Sequence, residues 1–211
     1  MPLHLSFEYE KRAELVKELE IISPLHRLAF AASICERMLP NYSALARETK
    51  SDPFVLRKAL DEVWQILQGK AVDAKIINRL IDECECARPE EGDPWFYLYE
   101  GSMAVVTTCY VLDACLDPTP QSIARVAERA GDILFESIFS EKLDADPNWG
   151  KNLSYAEQKK EIATHPFVVR ERVKQNEDFQ RLKEIEPLDR DFLEWLRTSF
   201  DNAGRSLIDL S

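Results

Sequence analysis

Apolar side chains recur every three to four residues along most of this chain, the spacing that places them on one face of an α-helix. Two segments differ because they are apolar on nearly every side: Leu25 to Leu39 and Trp95 to Leu116. A helix without a polar face must be buried all round. We therefore predict an all-α, single-domain helical bundle of about eight or nine helices around these two buried central helices.

Prolines and turn residues predict where the helices begin and end. Pro40 is expected to end the first central helix, with Asn41 capping a short helix after it. The helical pattern fails at 140–165, which predicts a polar loop with one short helix near 154–162. No segment alternates as a β-strand does. The domain is expected to span residues 1–211.

Composition excludes some classes of function. The chain has 211 residues and a formal net charge of −11, so we expect no nucleic-acid surface, because phosphate binding requires clustered positive charge. The longest weakly charged stretch, Ser102 to Leu116, is shorter than the ~20 residues that cross a bilayer, so we expect no membrane span. No export signal is visible at the N-terminus, and the five cysteines are then expected to be reduced thiols of a cytoplasmic protein.

Cys35-Glu36-Arg37, at the predicted end of the first central helix, is the sharpest local feature. A neighbouring cation could activate the thiol, but the carboxyl end of a helix disfavours a thiolate, so a core thiol is the favoured interpretation. Asp113 is the single charge in the stretch Ser102 to Leu116 of the second central helix, and Arg37 could neutralise it. Glu36, Arg37 and Asp113 therefore form a candidate polar centre. It would be a ligand-recognition site or a structural bridge, unless Asp113 simply faces water.

No motif supplies a catalytic set, a cofactor site or a metal site. Cys84 and Cys86 point to nearly opposite sides of a predicted helix and cannot share one metal ion. The three histidines are scattered; His26 is expected to hold a structural hydrogen bond, and His165 to cap or hinge a helix. We therefore name no catalytic residue, no cofactor and no metal ligand.

Three segments of the chain carry a family resemblance. They are FAASICERMLPNYSALARET, HPFVVRERVKQNEDFQRL and, at the end of the sequence, LRTSFDNAGRSLIDL. These segments resemble the YjaG-like family of bacterial helical proteins of unknown function. The similarity extends over nearly the whole chain, except that Lys142 to Lys160 is particular to this sequence. The resemblance implies an all-helical fold and brings no established activity, cofactor or catalytic residue.

The leading hypothesis for function is a non-enzymatic helical module that binds another protein, in signalling or regulation. Its preferred surface is the predicted charged helix from Pro166 to Glu186 and the loop before it. One alternative is an enzyme or small-molecule binder with a pocket lined by Glu36, Arg37 and Asp113. The other is an acidic inhibitor that neutralises a basic toxin or nuclease.

Overall fold

The structure, a computed structural model, describes residues 9–88, 98–200 and 207. Within these residues the chain forms nine α-helices and no β-strand, and the apolar side chains pack into one continuous core. The prediction of an all-α bundle is confirmed. Among the described helices, none combines the length and apolar composition that a bilayer crossing needs. The helices are α1 (Tyr9–Glu20), α2 (Pro24–Thr49), α3 (Val55–Leu67), α4 (Ala74–Cys86), α5 (Leu98–Leu116), α6 (Pro120–Ala145), α7 (Tyr155–Ile162), α8 (Pro166–Glu184) and α9 (Arg190–Thr198).

The two central helices are α2 and α5, which pack against each other as the apolar pattern predicts. Every residue of α2 from 28 to 38 is buried. Gly101 of α5 permits a close approach of the two backbones, because a Cβ atom at this position would lie 2.5 Å from Cβ of Leu45. α3, α4 and α6 pack around this pair, while α8 and α9 cover α2 on another side.

Pro40 does not end the first central helix, so that prediction was wrong. α2 continues past Pro40 for nine residues, although a proline inside a helix removes one backbone donor and costs about 3 kcal/mol. Tertiary contacts hold the second half in place: Tyr42 is fully buried and its Oη donates to the carbonyl oxygen of Asp52 at 2.8 Å. Asn41 is consequently a buried residue within α2 and not a helix cap.

The predicted polar loop at 140–165 is mostly helical in the structure. α6 continues through its first residues and α7 occupies the place of the predicted short helix, which leaves 146–154 and 163–165 outside helices. Aromatic contacts explain the order of this loop, since Trp149 packs edge-on against Phe139 with ring centroids 5.5 Å apart. Trp149 also donates from Nε1 to Oε1 of Glu161 at 3.2 Å. The loop is therefore anchored to both flanking helices.

The structural roles predicted for His26, His165 and Cys35 are confirmed, although the reason given for Cys35 has to change. His26 Nε2 donates to the carbonyl oxygen of Ile185 at 2.8 Å, and His165 Nδ1 accepts from the backbone N–H of Phe167 at the start of α8. Cys35 lies in the middle of α2, so the argument from a helix end does not apply to it. It is a core thiol because it is buried, and burial raises its pKa.

Candidate functional site

Glu36 and Arg37 are neighbours in the middle of α2, but their side chains face different helices. Successive residues of an α-helix point about 100° apart, so Glu36 faces α3 and α9 while Arg37 faces α8. Both residues are buried, whereas Asp113 is exposed on α5 and does not join them. The predicted polar centre of three residues therefore does not form. Glu36 and Arg37 instead anchor two separate ion-pair clusters.

The Arg37 cluster consists of Arg37, Glu171, Lys174, Gln175 and Asp178, and it joins α2 to α8. Arg37 donates from Nε and Nη2 to the two carboxylate oxygens of Glu171, both at 2.7 Å, and from Nη1 to Oδ2 of Asp178 at 3.1 Å. Lys174 Nζ donates to Oδ1 of Asp178 at 2.6 Å, and Gln175 Nε2 donates to Oε1 of Glu171 at 2.8 Å. Two cations thus face two carboxylates, so the cluster is balanced in charge.

Every member of the Arg37 cluster is at most 9% exposed. Burial acts to lower the pKa of Arg37, but the carboxylates of Glu171 and Asp178 outweigh it and raise that pKa further above its ordinary value. Arg37 therefore stays charged, and its fork geometry matches the Glu171 carboxylate. Because a buried ion is tolerated only with partners in good geometry, the cluster fixes how α8 sits on α2.

The Glu36 cluster consists of Glu36, Arg57, Asp61, Trp64 and Arg197, and it joins α2 to α3 and α9. Arg57 donates from Nη1 and Nη2 to the two carboxylate oxygens of Glu36 at 2.7 and 2.9 Å, and Trp64 Nε1 donates to Oε1 of the same carboxylate. Arg197 donates from Nη2 to Oδ1 of Asp61 at 2.6 Å. The side chains of Arg57 and Arg197 are 27% and 30% exposed, so this cluster reaches the protein surface.

A cavity of about 330 Å³ lies beside the Arg37 cluster. Its volume falls within the range of small-ligand sites. Of the three polar residues predicted as a site, only Arg37 contributes to its wall. A second cavity, of about 500 Å³, lies between the start of α2, the end of α3 and the start of α9, and it is separate from both clusters. The wall of the first cavity is formed by Arg37, Arg170, Glu171, Val173, Lys174, Glu177 and Phe200.

Sequence reasoning misses Glu171, Lys174 and Asp178, although the chain carries a signal for them. These residues follow each other at intervals of three and four along α8, on the stripe that also holds buried apolar residues such as Val168 and Leu182. Charged residues at helical spacing on a buried stripe indicate ion pairs with another element. The identity of the partner is not readable in this way, because Arg37 lies 134 residues before Glu171.

Within the described residues, the fold and these clusters define an all-helical bundle with internal ion pairs. The chain belongs to the DUF416 family, which is described as a family of proteins of unknown function and whose model matches residues 14–211. It is 29% identical over 194 residues to the uncharacterized protein YjaG of Escherichia coli (strain K12), an alignment that covers 91% of this chain and 93% of that protein. These matches confirm the resemblance predicted from the sequence.

Two further proteins are similar over nearly their whole length. The uncharacterized protein YjaG of Salmonella typhimurium is 27% identical over 195 residues, which cover 92% of this chain and 94% of that protein. A crystal structure of a DUF416 family protein from Shewanella baltica OS155 matches with a TM-score of 0.79 at 23% identity, over 93% of this chain and 97% of that one. The latter likeness shows a common fold. Neither the family description nor the names of these relatives assign an activity.

Proposed function

We propose that this protein is a non-enzymatic helical module that binds another protein through the outer face of α8, in signalling or regulation. The observation that carries the proposal is a pair of exposed valines on this helix. Val169 and Val173 lie one turn apart and are 43% and 62% exposed, and Val173 also lines the cavity described above. Single exposed apolar residues are ordinary, whereas two that lie one turn apart share a face of the helix and can contact a partner helix together.

The inner face of the same helix supports this proposal because it is already held in place. The Arg37 cluster ties α8 to α2, and His165 caps its first turn. A rigid surface loses little conformational entropy when a partner binds, so more of the contact energy appears as affinity. The occupant that fits is a partner helix with apolar residues one turn apart, matching the spacing of Val169 and Val173.

The state of the charged side chains favours a binding role over catalysis. General acid–base catalysis needs a group that can exchange a proton with a substrate. The carboxylates of Glu36, Glu171 and Asp178 instead each accept two or more hydrogen bonds from neighbouring side chains. Because these three carboxylates already hold neighbouring helices together, their hydrogen bonds support a structural role.

We place this module in the cytoplasm. Its five cysteines are free thiols, and Cys86 is the exposed one among them. Unpaired cysteines are typical of proteins from reducing compartments.

Site-specific photo-crosslinking in cells tests the proposed surface. A photoreactive amino acid replaces Val173 in one variant and Arg79 of α4, whose side chain is 63% exposed, in a matched control. We expect position 173 to give adducts of one discrete mass that position 79 does not give. Val169→Asp introduced together with the probe at 173 should abolish those adducts. Absence of adducts at 173, or the same adducts at both positions, would contradict the proposal.

A further inference from the structure

The cavity beside the Arg37 cluster combines an N–H of Arg37 that has no acceptor among the described residues, a lining with three basic and two acidic residues, and an apolar part formed by Val173 and Phe200. We propose that it binds a small aliphatic carboxylate with about six carbons in total, a size compatible with small-ligand cavities. This binding site goes beyond the proposed protein interaction and does not depend on it.

The unused donor belongs to Arg37. A guanidinium group carries five N–H donors, one on Nε and two on each terminal nitrogen. Within the described residues Nε donates to Glu171, Nη1 donates to Ser33 and Asp178, and Nη2 donates once, to Glu171. One N–H of Nη2 is therefore left over there. Arg37 lines the cavity and is only 2% exposed, so an unpaired charged donor is costly and a carboxylate oxygen would satisfy it.

The charges around the cavity favour an anion, although the whole chain has a formal net charge of −11. Among the described residues that line the cavity, three are basic, namely Arg37, Arg170 and Lys174. Two acids, Glu171 and Glu177, also line the cavity, but both are paired with cations. Glu171 is paired with Arg37, while Glu177 lies 3.1 Å from Nζ of Lys174 and 3.5 Å from Nη2 of Arg181. A cationic ligand would have to compete with these internal cations for both carboxylates.

The apolar part of the proposed ligand follows from the rest of the wall. Val173 and Phe200 line the cavity, and Val173 is exposed at its rim. A volume of about 330 Å³ accommodates an aliphatic chain of this length. The carboxylate would lie against Arg37 and the chain against Val173 and Phe200, so that charge and apolar contact both contribute to binding.

Calorimetric titration of the full-length protein with hexanoate tests this assignment, with hexylamine and hexan-1-ol as matched probes. We expect hexanoate to bind with a Kd of about 1 mM or tighter, and the other two to bind at least about tenfold more weakly. Val173→Trp places a large side chain at the rim of the cavity and should weaken hexanoate binding at least about tenfold. Val72→Trp, on an exposed valine before α4 that does not line the cavity and belongs to neither proposed site, is the control and should leave binding unchanged.

Several results would overturn the assignment. They are the absence of saturable hexanoate binding up to about 20 mM, equal affinity for hexanoate and hexylamine, and equal hexanoate affinity of the wild type and Val173→Trp. The comparison of the three probes needs only the wild-type protein, so a folding defect in a variant cannot obscure it. Because no partner protein takes part, failure here is distinguishable from failure of the crosslinking experiment.

Discussion

Glu36 and Arg37 are adjacent in the sequence, yet the clusters that they anchor differ in depth. In the Arg37 cluster no residue is more than 9% exposed, whereas the side chains of Arg57 and Arg197 in the Glu36 cluster are 27% and 30% exposed. When a partner is removed, water can solvate a charge near the surface but cannot readily reach one in the interior. Two ion-pair clusters with similarly short hydrogen bonds can therefore differ in what their loss does to stability.

The largest effect is expected for Arg37→Met, which leaves Glu171 and Asp178 buried without their shared cation. We expect this change to lower the free energy of unfolding by about 3–5 kcal/mol, the range typical for breaking a buried ion pair. Urea denaturation followed by circular dichroism measures the change.

The double variant Arg37→Met/Glu171→Leu serves as the control for this result. It removes both charges of the bidentate pair and keeps the pair of Lys174 and Asp178. Since no carboxylate is left without a cation, the double variant should recover at least about half of the stability lost in Arg37→Met. A double variant as unstable as Arg37→Met would show that unpaired charge is not the cause of the loss.

A smaller effect is expected for Glu36→Gln in the partly exposed cluster. Glutamine keeps an oxygen that accepts from Trp64, while Arg57 and Arg197 remain close to Asp61 and to water. We expect a loss of about 1–2 kcal/mol in the same denaturation experiment. A loss equal to that of Arg37→Met would contradict the distinction between the two clusters.

The smallest effect concerns the start of α8, the helix that supplies the acids of the Arg37 cluster. Burial lowers the pKa of His165 below its ordinary value of 6.5, although Glu141, at 4.0 Å, partly opposes this shift. A histidine whose pKa is lowered by folding binds fewer protons in the folded state. Its contribution to stability is therefore complete above about pH 6.5 and is lost as the pH falls below that value. Protonation also removes the Nδ1 acceptor that caps the backbone N–H of Phe167.

We expect this contribution to be about 1 kcal/mol or less, the usual worth of a helix cap. His165→Asn keeps a capping acceptor but does not titrate. The wild type should lose more stability between pH 7 and pH 5 than this variant does, as measured by urea denaturation at each pH. Identical pH dependence in the two proteins would exclude His165 as the titrating group.

The fold was predictable from the sequence to a greater extent than the polar contacts. Continuous apolar composition identifies α2 and α5 as central, because a helix with no polar face has to be buried. Pro40 is the exception. A proline locally favours the end of a helix, but the packing of α2 on both sides of Pro40 keeps the helix continuous. Spacing along a helix gives the face on which Glu36 or Arg37 lies, but not the helix that this face meets. Charge alone therefore makes Asp113 a reasonable partner for Arg37. In the structure, however, Asp113 is exposed and Arg37 pairs with Glu171.

The most direct test of the account is a pair of double-mutant cycles, one for Arg37 with Glu171 and one for Glu36 with Arg57. Each cycle isolates the coupling free energy of its pair from the other effects of the substitutions. We predict that the Arg37–Glu171 coupling is at least about twice the other, and that only the Glu36–Arg57 coupling falls markedly in about 1 M NaCl, because salt screens exposed charges more than buried ones. Equal coupling energies, or an equal decrease in salt, would contradict the account.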